Sequence, residues 1–265
     1  MGGDVGARVL AAIPAIIFAV LIVSYGGLVF AIGVTLLAIV CLGEWFTLTA
    51  RVRPVRLAGF LGVIGLILAA HFGDQFQILL ALVICVPVTF LLSLLRPGRA
   101  NVSWAIAATI FGVVWIGLPF AHAVLLRDLP HGGALLVDVL IGTFIGDTCA
   151  YFAGRAWGRR PLAPLISPNK TLEGLVTGVV GGTLAFWLFA IAYQHEWFKG
   201  PDALLIGFCV ALAAPLGDLF ESLLKRDLDV KDTGRLFGAH GGALDRLDAV
   251  LFTVVTAYYV SLAVL

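Results

Sequence analysis

The sequence predicts an all-α, polytopic integral membrane protein of about nine transmembrane helices, with the N-terminus in the cytoplasm and the C-terminus outside. Three observations predict it. Of 265 residues, 61% are hydrophobic and 12% charged, whereas a soluble domain carries about 25% charged residues. The mean hydropathy is +1.06, more apolar surface than a soluble core of this size can hide. The apolar residues also fall in runs of about 20, the length that crosses a bilayer as a helix.

The runs lie at roughly 9–25, 28–49, 57–73, 76–95, 102–126, 133–153, 172–193, 203–224 and 243–265. The first follows a lone Arg8. It reads as a retained helix and not a cleaved signal, because the run is long and lacks a clear small-residue cleavage site. The second carries Glu44 near its middle, and the third is short. The fourth and fifth contain no Asp, Glu, Lys or Arg. The sixth holds Asp138 near its outer end, then Asp147, and a strip of Gly142, Gly146, Ala150 and Gly154. The seventh carries a matching strip, Gly174, Gly178 and Gly182. Small residues four apart let helix backbones approach closely in lipid, so both strips predict packing. The eighth contains Asp218, and the ninth contains Asp245, Arg246 and Asp248.

The basic residues test this count, because cytoplasmic loops are enriched in Lys and Arg. With the N-terminus inside, Arg8, Arg51, Arg53, Arg56, Arg96, Arg99, Arg155, Arg159, Arg160, Lys170, Lys225, Arg226, Lys231 and Arg235 all fall inside. These are 14 of the 17 Lys and Arg residues. Only Arg127 and Lys199 fall outside, and Arg246 lies within the ninth run. A wrong span count scrambles this alternation.

Cys41, Cys85, Cys149 and Cys209 sit in apolar runs without ligand spacing and read as packing residues. His71, His122 and His195 show no metal spacing. The net charge of +1 gives no basic surplus, and no nucleic-acid partner is expected. "HGGAL" occurs at 131–135 and again at 240–244. The first copy falls in an outside loop without neighbouring lysines and reads as chance. Glu44 and Asp138 have no obvious partner in the sequence and read as structural or peripheral.

Two cytoplasmic loops, 154–171 and 225–242, are longer than a connection needs, and such loops usually carry function. Charge inside a span points to function by default. Asp245 and Asp248 are three apart, hence on one helical face. Runs eight and nine are joined on the cytoplasmic side, so Asp218 can meet them there. Unpaired, three carboxylates repel, and a divalent cation resolves the conflict. Hard oxygen ligands suit Mg2+. The competing reading is ion pairing with Arg246 and Lys225, or exposure at a helix end.

Around these acids stand Lys225, Arg226, Lys231 and Arg235, with Gly234, Gly238, Gly241 and Gly242. Lysine meets phosphate as a point charge and arginine as a fork. Glycines permit backbone N–H groups to turn toward an anion. The first long loop repeats the theme. Asp147, Tyr151 and Arg155 share one face of the sixth helix. In "ISPNKTLEG", Ser167, Asn169 or Thr171 can cap the seventh, with Lys170 beside a helix N-terminus that favours anions. For Asp147 the alternative is a buried hydrogen-bonded acid, and for Lys170 a surface lysine.

Ser222 to Asp248 reads "SLLKRDLDVKDTGRLFGAHGGALDRLD". This stretch resembles the signature of the phosphatidate cytidylyltransferase (CDP-diacylglycerol synthase) family. The matching residues are Ser222, Lys225, Arg226, Lys231, Asp232, Gly234, His240, Gly241, Gly242, Asp245, Arg246 and Asp248. Ala243 departs from it, where the family usually has a larger aliphatic residue, which bears on packing. "DTCAYFAGR" and "ISPNKTLEG" are also similar to family segments. The likeness is strong in the C-terminal half, while the first five runs match only as hydrophobic spans.

The resemblance implies synthesis of CDP-diacylglycerol and pyrophosphate from phosphatidic acid and CTP, with Mg2+, a second cation (K+) and a homodimer. It implies Asp218, Asp245 and Asp248 as metal ligands, with Lys225 and Arg246 as further catalytic groups. It also implies Lys170, Lys225, Arg226, Lys231, Asp232, His240, Gly241, Gly242, Asp147, Ser167 and Asn169 as the CTP and phosphate site. Within one transmembrane domain, 1–126 then serves as a lipid-facing, dimer-forming scaffold and 133–265 as the catalytic half. The expected location is a bacterial inner membrane, with the active site facing the cytoplasm. Two other functions fit the residues less well. An ion-coupled transporter would place acids at the midplane within inverted repeats, and none are found. A CTP-dependent lipid kinase shares the setting and differs in products.

Overall fold

A computed structural model describes residues 17–264, apart from 97, 99, 195, 196, 198 and 235–240. The described chain is almost entirely helical. In order it comprises α1 (residues 17–25), α2 (Gly27–Leu48), α3 (Arg56–Phe72), α4 (Gln75–Leu94), α5 (Val102–Asp128) and α6 (Gly132–Trp157). A hairpin of β1 (Pro161–Ala163) and β2 (Ser167–Thr171) follows, then α7 (Leu172–Gln194), α8 (Gly200–Asp227) and α9 (Leu244–Val264). Among the described residues, seven helices are long and apolar enough to cross a membrane, and Arg56–Phe72 is a shorter apolar helix. The all-α membrane class expected from composition is therefore observed.

Burial follows the logic of a lipid solvent. Large apolar side chains point outward along whole stripes, such as Leu79, Val83, Val86 and Phe90 of α4. In water such a stripe would aggregate; in hydrocarbon it needs no cover. What must be hidden instead is backbone polarity, which helices satisfy internally.

The chain folds as two units. One joins the helices up to Asp128 with Asp232–Arg246, and the other joins Leu129–Lys231 with the residues from Leu247 onward. The glycine-rich segment after Lys231 thus belongs with the N-terminal helices.

In the first unit, Trp45 of α2 anchors the core. Its ring lies 5.1 Å from Phe111 and 5.6 Å from Trp115, and its Nε1 donates to the Ala108 carbonyl at 2.8 Å. Within α5, Val113–Gly117 forms one wide, π-helical turn. Pro119 follows, and its ring presses on residue i−4, Trp115, which that slack accommodates. Asp74 starts α4 with a capping box. Its Oδ1 accepts from Phe76 N at 2.7 Å, while Gln77 Oε1 accepts from Asp74 N at 2.9 Å.

In the second unit the two glycine strips face each other, as their spacing predicts. A Cβ on Gly146 would stand 3.1 Å from the Gly178 carbonyl, and one on Gly182 would stand 2.7 Å from the Gly142 carbonyl. The backbones of α6 and α7 are therefore in direct contact. Gly217 does the same for α8, where a Cβ would lie 3.0 Å from Cα of Ala249 on α9. Thr143 donates to Thr253 at 3.2 Å and ties α6 to α9.

The first long loop contains a strand pair that its sequence does not predict. Antiparallel β1 and β2 pair Pro161 with Thr171 and Ala163 with Ser167. Glu173 Oε2 accepts from the N–H groups of Arg159 and Arg160 at 3.1 and 3.2 Å. Of the three expected caps for α7, Thr171 takes the role, its hydroxyl accepting from Gly174 N at 3.1 Å.

Candidate active site

In the second unit, α6, the hairpin, α7 and α8 enclose a cavity of about 580 Å³. The close packing of α6 on α7 shapes its wall, since Gly146, Gly174 and Gly178 line it. The polar face read from α6 points into it: Asp147, Tyr151 and Arg155 are all lining residues. Arg155 Nη1 donates to the Tyr151 hydroxyl at 3.1 Å. The hairpin contributes Asn169 and Lys170, and α8 contributes Asp218.

Lys170 Nζ and Asp218 Oδ2 form an ion pair at 2.5 Å. The Ser222 hydroxyl donates to the other oxygen, Asp218 Oδ1, at 3.3 Å. One turn further along α8, Lys225 pairs with Glu221 at 3.0 Å. Asp248, in the first turns of α9, accepts from Ala249 N at 2.8 Å. Its carboxyl is in hydrogen-bonding contact with that of Glu221. Asp147, Asp218 and Asp248 all lie within electrostatic reach of one another.

Charge bookkeeping shows what this cluster lacks. Among the described residues, the acids Asp147, Asp218, Glu221 and Asp248 stand with Lys170 and Lys225 as close cations. If all ionise, two negative charges are uncompensated. Carboxylates in contact repel unless a proton or a cation sits between them. A divalent cation has the matching charge, and the donors are hard oxygens. Hard oxygens of this kind suit magnesium, while among the described residues no group of three or more His, Cys, Asp or Glu side chains is placed to hold a metal ion.

The structure brings Asp218 and Asp248 together, with Asp147 beside them. Asp245 is engaged within the first unit. Its Oδ2 accepts from Thr233 N at 2.9 Å, the Thr233 hydroxyl at 2.9 Å and Gly242 N at 2.7 Å. Gly241 has φ +79°, and Asp245 fills the space where its side chain would be. Glycine is required there on both counts.

The remaining expected residues are distributed as follows. Arg226 is exposed, and its Nε donates to the Ile166 carbonyl at 3.1 Å, tying α8 to the hairpin turn. Lys231, Asp232 and Arg246 are exposed, and Ser167 is half-buried on β2. His240 lies outside the described residues, as does Arg235.

Glu221 is not among the residues the sequence singles out, and Glu44 is expected there to be structural or peripheral. Glu221 shares a helical face with Asp218 and Lys225, and that spacing was the available signal. Glu44 has partners after all: its Oε1 accepts from Ala243 N at 2.9 Å, and its Oε2 accepts from Leu244 N at 2.9 Å and from the Thr233 hydroxyl at 3.3 Å. These partners lie about 190–200 positions away in sequence, so no local pattern reveals them.

Fold and cavity together define a helical membrane protein with acids and bases gathered in one cavity, the requirements of phosphoryl-group chemistry beside a bilayer. Residues 6–264 match the cytidylyltransferase family, and the chain belongs to it. A Mycobacterium leprae protein named phosphatidate cytidylyltransferase is 38% identical over 168 residues, covering 63% of this chain and 53% of that protein. A Staphylococcus aureus protein of the same name is 31% identical over 254 residues, covering 93% of this chain and 95% of its own. A Mycobacterium tuberculosis protein of that name is 34% identical over 166 residues. The chain spans about half the length of the mycobacterial relatives it matches.

Proposed function

We propose that this protein is a phosphatidate cytidylyltransferase, joining CTP and phosphatidic acid into CDP-diacylglycerol and pyrophosphate. A phosphate oxygen of phosphatidic acid attacks the α-phosphorus of CTP. The new P–O bond forms as the bond to the β-phosphate bridging oxygen breaks, and pyrophosphate leaves. The nucleophile is already an anion, so no strong base is needed. The obstacle is bringing two polyanions together, and the observation that carries the proposal is a cavity holding Lys170 and Arg155 beside Asp147 and Asp218.

Each residue then has a task. Asp147, Asp218 and Asp248 would hold magnesium, which when bound would supply positive charge against the phosphates. Lys170, Lys225, Arg226 and Lys231 hold phosphates, and Arg155 and Asn169 complete the polar wall. Ser167 braces the hairpin that presents Lys170. Asp232, His240, Gly241, Gly242 and Arg246 shape the nucleotide loop, with Asp245 fixing its backbone. A second cation (K+) and a homodimer rest on the family resemblance alone. The distribution of basic residues supports a cytoplasmic-facing site in a bacterial inner membrane, reached by the lipid sideways from the bilayer.

The test is incubation of the purified protein with phosphatidic acid, radiolabelled CTP and Mg2+. Labelled CDP-lipid and pyrophosphate are expected, and chelation of the metal should abolish both. Formation of CDP with a newly phosphorylated lipid would identify a kinase instead, and absence of any CTP turnover would sink the proposal.

A further inference from the structure

We propose that Glu44, on a helix far from the cavity lining in sequence, is a positioning residue for CTP: its carboxylate sets the backbone on which the nucleotide loop is built. The inference rests on the function proposed above and adds a residue that the signature motif does not contain.

All of the bonds concerned lie within one unit of the fold. Two carboxylates clamp the segment at both of its described ends. Glu44 takes the N–H groups of Ala243 and Leu244, at the very start of α9, and shares the Thr233 hydroxyl with Asp245. Asp245 takes Thr233 N and Gly242 N. Thr233 and the 242–244 turn are therefore held at a fixed separation by two acids that divide the donors between them. The first N–H groups of a helix have no partner inside the helix, and an anion there is favoured by the helix dipole. Ordinarily a neighbouring residue caps them. Here the cap comes from α2, and Ala243 and Leu244 are buried at 3% and 0% exposure. Water cannot replace the carboxylate at such a site.

The fit is also steric. Side chains at Gly234 or Gly242 would collide with the Glu44 carboxylate, with a Cβ at Gly234 coming 2.7 Å from its carboxyl carbon. Gly234 and Gly242 thus serve Glu44 as much as they serve any ligand. A glutamate in the last turns of an apolar helix is expensive unless its charge is used, and here its carboxylate accepts from Thr233, Ala243 and Leu244.

The experiment compares full-length wild type, Glu44→Gln and Glu44→Ala. Glutamine keeps shape but offers one acceptor oxygen, so its amide N–H2 must oppose a buried N–H. A packing role predicts that Gln behaves as wild type. A positioning role predicts a KM for CTP raised about tenfold in Gln and further in Ala, with KM for phosphatidic acid unchanged. Amide hydrogen exchange at 243 and 244 should also speed up in the Gln variant. If Ala fails to fold, Gln decides. Wild-type CTP kinetics and wild-type exchange protection in Glu44→Gln would overturn the inference while the proposed function stands. A silent wild-type enzyme would bring down the proposed function and this inference with it.

Discussion

Lys170 shows how much one residue is asked to do. Its ammonium neutralises Asp218 while lining the cavity where phosphates are proposed to sit. Removing it leaves Asp218 without its counter-ion beside Asp147 and Asp248, and removes a phosphate contact as well. Lys170→Ala should therefore lower kcat/KM for CTP by about 10²-fold or more. Lys170→Arg should recover part of the loss, because charge is kept while the point contact becomes a fork. Steady-state kinetics on both variants check this, and equal activity of Ala and wild type would remove Lys170 from the site. The sequence reading identified this lysine because a motif surrounds it. Glu221 carries no comparable flag, because a glutamate four residues before a lysine is also what any exposed helix face shows. Only burial to 1% exposure separates the two cases.

At the level of elements, the glycine strips of α6 and α7 set the width of the cavity. A Cβ at Gly178 would lie 2.8 Å from the Ala150 Cβ and 3.0 Å from the Gly146 carbonyl. Gly178→Leu must push the helices apart, an overpacking penalty of about 1–3 kcal/mol. Thermal unfolding in detergent should show Tm lowered by about 5 °C, with activity reduced because Gly146 and Gly178 line the cavity. Val180→Leu, at a position 53% exposed on the same helix, should leave both unchanged. An unaltered Tm for Gly178→Leu would contradict the packing account. These strips were legible in the sequence because close approach in lipid selects small residues at helical spacing. The β1–β2 hairpin was not legible. Its strands are three and five residues long, and their prolines and polar residues carry no alternating pattern. The Glu44 clamp was hidden for another reason: it is made of long-range bonds to backbone N–H groups, which leave no residue signature.

For the whole molecule the open element is α3. Its 17 residues span about 26 Å at 1.5 Å per residue, short of the roughly 30 Å hydrocarbon core. Length alone argues that it lies in the membrane without crossing. Charge argues the opposite. Arg51, Arg53 and Arg56 precede it, and Arg96 and Arg99 follow α4. If α3 does not cross, α4 alone separates the two arginine groups and puts one of them outside, against the positive-inside rule. If α3 crosses, both groups lie on the cytoplasmic side. Charge outweighs length, because a short helix is accommodated by local bilayer thinning at a fraction of a kcal/mol per ångström, whereas each misplaced arginine opposes insertion. Cysteine labelling separates the two arrangements. In a background without the native cysteines, Gln75→Cys, just after α3, should react with a membrane-impermeant maleimide in intact cells. Ala100→Cys, beyond α4, should react only after permeabilisation. Labelling of Ala100→Cys and not of Gln75→Cys in intact cells would make α3 a helix that enters without crossing, because α4 alone would then carry the chain outward and put Arg96 and Arg99 outside.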